Sequence, residues 1–204
     1  MTSERAGVAF NPPACREGRA ASGLPTDTTD AALIARVLAG DTGAFTPLVH
    51  RHYESCARFA RRMLGNSQDA EDVLQETLMR AYLALGRYHE RDHFHAWLFR
   101  ILVNQCRSHV RGRARRARRF VDDPSAEAAA KSPGGDDGAL RDALQQALEA
   151  LDPSSREALL LKYGEGLEYD EISRMTGANI SALKMRVKRA RDAVKPSLEE
   201  MRNA

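Results

Sequence analysis

The stretch Leu167–Arg191, LEYDEISRMTGANISALKMRVKRAR, limits what this chain can fold into more than any other. It reads as two short helices around a tight turn. Tyr169 to Met175 forms the first, with Ile172 and Met175 spaced to face inward. Thr176-Gly177 breaks it, because glycine tolerates the positive φ that a tight turn needs. The second helix starts near Asn179 or Ser181, both good N-caps. Ile180, Leu183, Val187 and Ala190 recur at helical spacing and make one buried stripe, while Lys184, Lys188, Arg189 and Arg191 populate the other face. A helix wedged on its apolar side and cationic on the other suits a major groove, where cations meet phosphates and guanine edges. A helical hairpin with a solvated basic face is the plain alternative.

The remainder is also helical, with no strand pattern and no repeat. Leu33, Ile34, Val37 and Leu38 line one side of Ala31–Ala39, and Gly40 ends that helix. Asp41 is placed to cap the next, which runs through Phe45, Leu48, Tyr53, Phe59, Met63 and Leu64, with Pro47 in its tolerant first turns. Gly65 closes it, and Asn66 or Ser67 caps a third helix, Asp69–Leu85, which buries Val73, Leu74, Leu78, Ala81 and Leu85. Asp72, Gln75 and Glu76 fall on one exposed patch of that helix. Gly86–His93 reads as a polar loop containing Tyr88. A long fourth helix from Phe94 turns Trp97, Leu98, Ile101 and Leu102 inward. It then runs into Arg107, Arg111, Arg113, Arg115, Arg116, Arg118 and Arg119. Arginine at this density repels itself unless it meets a polyanion, which points to a phosphate-tracking surface; a solvated helix end is the bland reading.

Punctuation divides the chain. Residues 1–29 carry Pro12-Pro13, Gly18, Gly23 and Pro25 without periodicity and read as a disordered extension. Residues 30–119 form one helical domain. Residues 120–138 are an acidic, Pro- and Gly-bearing linker, and 139–204 form a second domain. In that domain Leu140, Leu144, Leu148 and Leu151 make a stripe, Asp152-Pro153 starts the next helix, and Pro196 is expected to end the basic one. The expected fold class is therefore all-α, two small helical domains on a flexible acidic tether.

Composition removes some functions. The net charge of +3 over 204 residues is too small to choose a partner by itself; local charge does that. Cys15, Cys56 and Cys106 are far apart and odd in number, which argues against a disulfide framework or a zinc ribbon. No run is long enough to span a bilayer, and residues 1–29 lack the apolar core of a signal peptide. No phosphate loop, nucleophile elbow or HExxH motif is present. Cys106 and His109 could share a helix face, but two ligands do not complete a tetrahedral metal site.

The order of parts is acidic-faced helix, aromatic loop, Trp-bearing helix ending in arginine, acidic linker, helix-turn-helix. It resembles the sigma-70 family of transcription initiation factors, specifically the extracytoplasmic-function (ECF) group. The matching text is DAEDVLQETLMRAYLAL at 69–85, HFHAWLFRILVNQCRSHVR at 93–111 and the opening motif at 167–191.

The resemblance implies a factor that binds the β′ and β subunits of core RNA polymerase and promoter DNA and needs no cofactor. Residues 30–119 would correspond to sigma region 2 and 139–204 to region 4. Asp72, Gln75 and Glu76 would dock on the β′ clamp helices. Tyr88 or Phe94 would stack on a base flipped from the −10 element, with Asn104 at the base edge. Trp97, spaced with Ile101, fits the core better. Arg107, Arg111, Arg113, Arg115 and Arg116 would hold the duplex upstream. Lys184, Met185, Lys188 and Arg189 would lie nearest base edges of the −35 element, with Lys162, Tyr169, Ser181 and Arg186 suited to phosphates or packing. The linker would thread along the polymerase's RNA path. An anti-sigma factor is a further implied partner, with cytoplasmic localisation and no direct membrane insertion. Ala182 and Met185 stand where many relatives have Thr and Ser, so the −35 sequence does not carry over. The competing function is a stand-alone helix-turn-helix regulator with an unrelated sensor domain; a metal-dependent enzyme built on the His and Cys residues is a third.

Overall fold

The computed structural model describes residues 29–89, 93–119 and 136–202. The N-terminal extension with Cys15, the core of the acidic linker and part of the loop after Tyr88 lie outside the described residues. Among the described residues every regular element is helical.

The helix boundaries follow capping chemistry. Helix α1 spans Asp30–Leu38, and the Thr29 hydroxyl accepts from the Ala32 N–H at 3.3 Å. Helix α2 spans Phe45–Leu64 and stops at Gly65, whose φ of 75° is left-handed. Helix α3 spans Ser67–Ala84, with Asn66 Oδ1 accepting from the Asp69 N–H at 3.1 Å. A 3-10 turn at Leu85–Arg87 leads towards α4, Phe94–Arg119. Helix α5 spans Asp136–Glu149, α6 Pro153–Leu159 and α7 Tyr169–Thr176; a π-helical turn, Leu160–Gly164, follows α6. Helix α8 spans Ile180–Arg202, capped by Asn179 Oδ1, which accepts from the Ser181 N–H at 2.8 Å.

Three expectations are corrected. Asp41 gives no side-chain cap to the following turn. Its carboxylate is taken by Arg36 at 2.6 Å, an ion pair that also holds the Asp41 carboxyl below its usual range. Pro196 does not end the basic helix: α8 runs through it to Arg202. Proline withdraws one backbone donor from the helix interior, here the bond to the Asp192 carbonyl, and the helix continues past the gap. Helix α5 begins at Asp136, inside the expected linker.

The first domain packs α1 to α4 around Phe59 and Phe99, whose rings meet edge-to-face at 5.5 Å, with Leu48, Leu98 and Leu102 fully enclosed. Each such side chain contributes about 1.5–3 kcal/mol by leaving water. In the second domain Leu183 and Val187 of α8 join Leu148, Leu161 and Ile172 in the core, and Ala190 is buried on the same stripe.

The two domains do not stand apart. Helix α4 packs on α7, and α2 packs on α5, α6 and the π-helical turn. The buried apolar residues of both domains join in one cluster. A polar seam runs beside it: Arg107 grips Glu157, Arg156 Nη1 donates to the Met63 carbonyl at 2.8 Å, and the Glu165 carboxylate lies 3.8 Å from Arg58 and 3.7 Å from His95.

Candidate promoter and polymerase interfaces

Helix α8 presents the expected division from Leu183 onward, while Ile180, expected in the buried stripe, is only half-buried. Leu183, Val187 and Ala190 are buried, while Ser181, Lys184, Met185, Lys188 and Arg189 are exposed. Gly177, with φ of 70°, turns the chain between α7 and α8, and a side chain there would be strained. Helix α7 opens with a capping box in which Glu168 and Glu171 each accept from the other's backbone region. Tyr169 sits where the two helices meet. Lys162 Nζ lies 5.1 Å above its ring and Lys184 Nζ 5.8 Å, and Lys162 also bonds Glu168 at 3.0 Å. Arg186 is half-buried, consistent with packing.

The aromatic corner of the first domain is organised around Phe94. That ring is buried at 3% exposure and contacts Tyr88, Trp97 and His52 at 5.8, 5.5 and 5.3 Å. Its own face is therefore taken, and of the two candidate rings only Tyr88 is accessible. The Tyr88 hydroxyl accepts from the His93 N–H at 3.3 Å. Asp30, Ile34, Leu38, Arg51, Tyr88 and Phe94 line a cleft of about 740 Å³. His52 is buried behind it with Nε2 2.8 Å from Asp30. Burial lowers the His52 pKa, against the opposing pull of Asp30.

Asn104 is exposed on the same helix, about two turns beyond Trp97. Arg111, Arg115 and Arg116 are also exposed, and Arg113 reaches Asp69 and the Leu64 carbonyl at 3.5 Å. Arg107 is placed differently from the expectation. Its Nε and Nη2 bond the two carboxylate oxygens of Glu157, each at 2.7 Å, and Nη1 donates to the Thr176 carbonyl at 3.4 Å. The face of α4 that carries Arg107 meets the second domain, and a buried carboxylate there demands a cation.

Asp72 and Gln75 are exposed on α3 and Glu76 is half-exposed, ion-paired to Arg80. Two apolar side chains continue this face, Met79 at 40% and Leu83 at 75% exposure, which the reading of the acidic patch alone did not include. Their helical spacing from Gln75 was the available signal. Glu157 was also missed; an acid inside the run EALLLKY is the only hint the sequence offers. Among the described residues no three His, Cys, Asp or Glu side chains gather as a metal site. Cys106 and His109 diverge: Cys106 is buried, and His109 Nε2 stands 3.2 Å from Asp69 Oδ2, off hydrogen-bond alignment.

Two separate pieces of the chain match family profiles: sigma-70 region 2 at residues 48–116, and sigma-70 region 4 at residues 141–194. The chain is 30% identical over 189 residues to the RNA polymerase sigma-H factor of Pseudomonas aeruginosa, covering 86% of this chain and 97% of that protein. It is 31% identical over 178 residues to the ECF RNA polymerase sigma-E factor of Escherichia coli, covering 81% and 92%. Among solved structures it resembles the sigma factor RpoE of Bartonella quintana in complex with the anti-sigma factor NepR. The TM-score is 0.65 at 27% identity, over 76% of this chain and 96% of that one. It also resembles CnrH in complex with the cytosolic domain of CnrY, with a TM-score of 0.61 at 30% identity, over 84% and 97%.

A paired region 2 and region 4 with an exposed basic reading helix define a promoter-directing initiation factor of RNA polymerase, and the chain belongs to the sigma-70 family. Within it, the chain falls in the ECF group. Because both halves match sigma regions, a regulator with an unrelated sensor domain has no support.

Proposed function

We propose that the two domains, 30–119 and 139–204, divide promoter recognition between them while core polymerase holds them at the required separation. The observation that carries this reading is the segregation of charge on one body: acids at Asp72 and Glu76, and cations on the exposed faces of α4 and α8. Asp72, Gln75 and Glu76, extended by Met79 and Leu83, form an acidic and apolar patch that suits a basic coiled-coil partner on the β′ subunit. The Tyr88 ring stacks on an extruded −10 base and Phe94 supports it from behind. Asn104 offers both a donor and an acceptor to the base edge. Arg111, Arg113, Arg115 and Arg116 track the upstream phosphates, and Arg107 joins them when it is free of Glu157. Lys184, Met185, Lys188 and Arg189 face −35 base edges, with Lys162, Tyr169 and Ser181 positioning the helix on the backbone.

The chain acts by binding and positioning rather than by its own bond chemistry, in the cytoplasm. No helix among the described residues is long and apolar enough to cross a membrane. One similar structure is a complex of a sigma factor with an anti-sigma factor, and we extend such a partner to this chain.

Reconstitution tests the reading. The purified chain should comigrate with core polymerase on gel filtration, and the complex should initiate at promoters selected from a random library. A chain that neither comigrates nor directs initiation from any selected DNA would overturn it.

A further inference from the structure

The cleft beside the aromatic corner has a volume of about 740 Å³. That falls in the ~300–1,000 Å³ range of clefts that enclose a ligand. One face of α1 lines it: Asp30, Ala31, Ile34, Ala35 and Leu38 recur there at helical spacing. Tyr88 and Phe94 line it as well. Leu38 leaves 53% of its surface exposed. The charges beside it are already matched: Asp30 is ion-paired to Arg51, and His52 Nε2 stands 2.8 Å from the Asp30 carboxylate. An apolar lining with matched charges suits an uncharged side chain better than a phosphate.

Helix α1 is also where the first 28 residues of the chain join the domain, through Thr29 in extended backbone. Within them Arg5, Arg16 and Arg19 balance Glu4, Glu17 and Asp27, so side-chain charge does not steer the segment to a charged surface. Its longest apolar run is Val8-Ala9-Phe10, and Phe10 is its one aromatic residue. Phe10 stands 20 residues before Asp30, a span of up to roughly 65 Å when extended, so reach is not limiting. A tethered segment faces its site at an effective concentration in roughly the millimolar range, where contacts too weak to hold a free peptide suffice.

We propose that this cleft is the docking site of the chain's own residues 1–28, which seat Phe10 against Ile34, Leu38 and Tyr88. An aromatic side chain gains more beside the Tyr88 ring than an aliphatic one of equal size, because rings attract edge-to-face or offset. The consequence for promoters rests on the reading of Tyr88 as the platform for a −10 base. Phe10 and the base then compete for one cleft, and the docked fraction lowers the apparent affinity for the base.

Trp97, the single tryptophan of the chain, reports on the cleft because its ring lies 5.2 Å from Tyr88 and 5.5 Å from Phe94. In the full chain, Phe10→Ala should red-shift the Trp97 emission and open it to acrylamide quenching. Leu38→Lys, at an exposed position outside the core, should do the same, and the double variant should go no further. A peptide of residues 2–28 added to the Phe10→Ala chain should reverse the shift in roughly the millimolar range. In the complex with core polymerase, Phe10→Ala should bind single-stranded −10 DNA about two- to ten-fold more tightly. Unchanged emission and quenching in both variants would overturn the docking. So would a wild-type signal that changes with chain concentration, the mark of a second copy in the cleft. If the emission shifts and the peptide reverses it while DNA affinity stays at wild type, the docking stands and the reading of Tyr88 as the base platform fails instead.

Discussion

The ammonium of Lys184, on the exposed basic face of α8, lies 5.8 Å from the centre of the Tyr169 ring, which Lys162 covers at 5.1 Å. Two cations from different elements thus share one aromatic plate at the corner of the helix-turn-helix. The plate limits where Lys184 can go before DNA arrives. Replacing Tyr169 with Leu keeps apolar bulk and removes the ring's electrostatic pull, worth about 0.5–1 kcal/mol at an exposed site. Binding of the polymerase complex to a −35 duplex should weaken by a few-fold, with helix content unchanged. Titration by fluorescence anisotropy measures this.

Arg189 and Asn104 probe the two proposed promoter contacts separately. Arg189→Ala should relax discrimination at one −35 position and cost about 1–3 kcal/mol there. Asn104→Ala should slow formation of the open complex more than it weakens initial binding. Competition between single-base promoter variants tests the first, and permanganate footprinting against filter binding tests the second.

Asp152 caps α6, accepting from the Ser154 and Ser155 N–H groups at 3.1 and 3.0 Å and from the Ser154 hydroxyl at 2.7 Å. Hydrogen bonds to Ser155 and then Ser154 hold its carboxyl at about 2. A depressed folded pKa means that the stabilisation is present above the unfolded value of 3.8 and is lost as pH falls towards 2. Asp152→Ala should cost about 1 kcal/mol at neutral pH. Thermal unfolding should show the difference between variant and wild type shrinking between pH 4 and pH 2.

Gly65 ends α2 at a φ of 75° and faces Glu149 and Gln145 of α5. A Cβ would meet the Glu149 carboxylate, which can swing away, so the backbone strain is the lasting cost. Gly65→Ala should destabilise by about 1 kcal/mol or more. Chemical denaturation reads the loss.

Cys56 and Cys106 are both buried, and burial raises each thiol to about 12. The thiolate is the reactive form, so neither should label with a thiol reagent at pH 8 in the folded chain. Both should label on unfolding. Because the folded value is raised, these thiols contribute stability that is intact at neutral pH and falls as pH rises past about 9, where the unfolded chain ionises. Mass spectrometry after timed labelling follows the first point, and alkaline thermal scans follow the second.

The amino-acid sequence determined what depends on neighbours a few residues apart. Asn66, Asp152 and Asn179 cap helices because a short polar side chain reaches N–H groups two or three residues on. Gly65 and Gly177 end helices because they enter left-handed backbone freely. Leu183, Val187 and Ala190 are buried because their spacing aligns them on one face. Tertiary structure alone decided that Phe94 is enclosed while Tyr88 is accessible, and that Glu157, fifty residues away, takes Arg107 from the arginine row. The physical reason is range. Caps, turns and stripes are set by bonds and spacings within about one helical turn, where the chain's own geometry fixes who meets whom. The partner of a charge across a domain seam is fixed only when two finished helices come together, and no period along the sequence carries that distance.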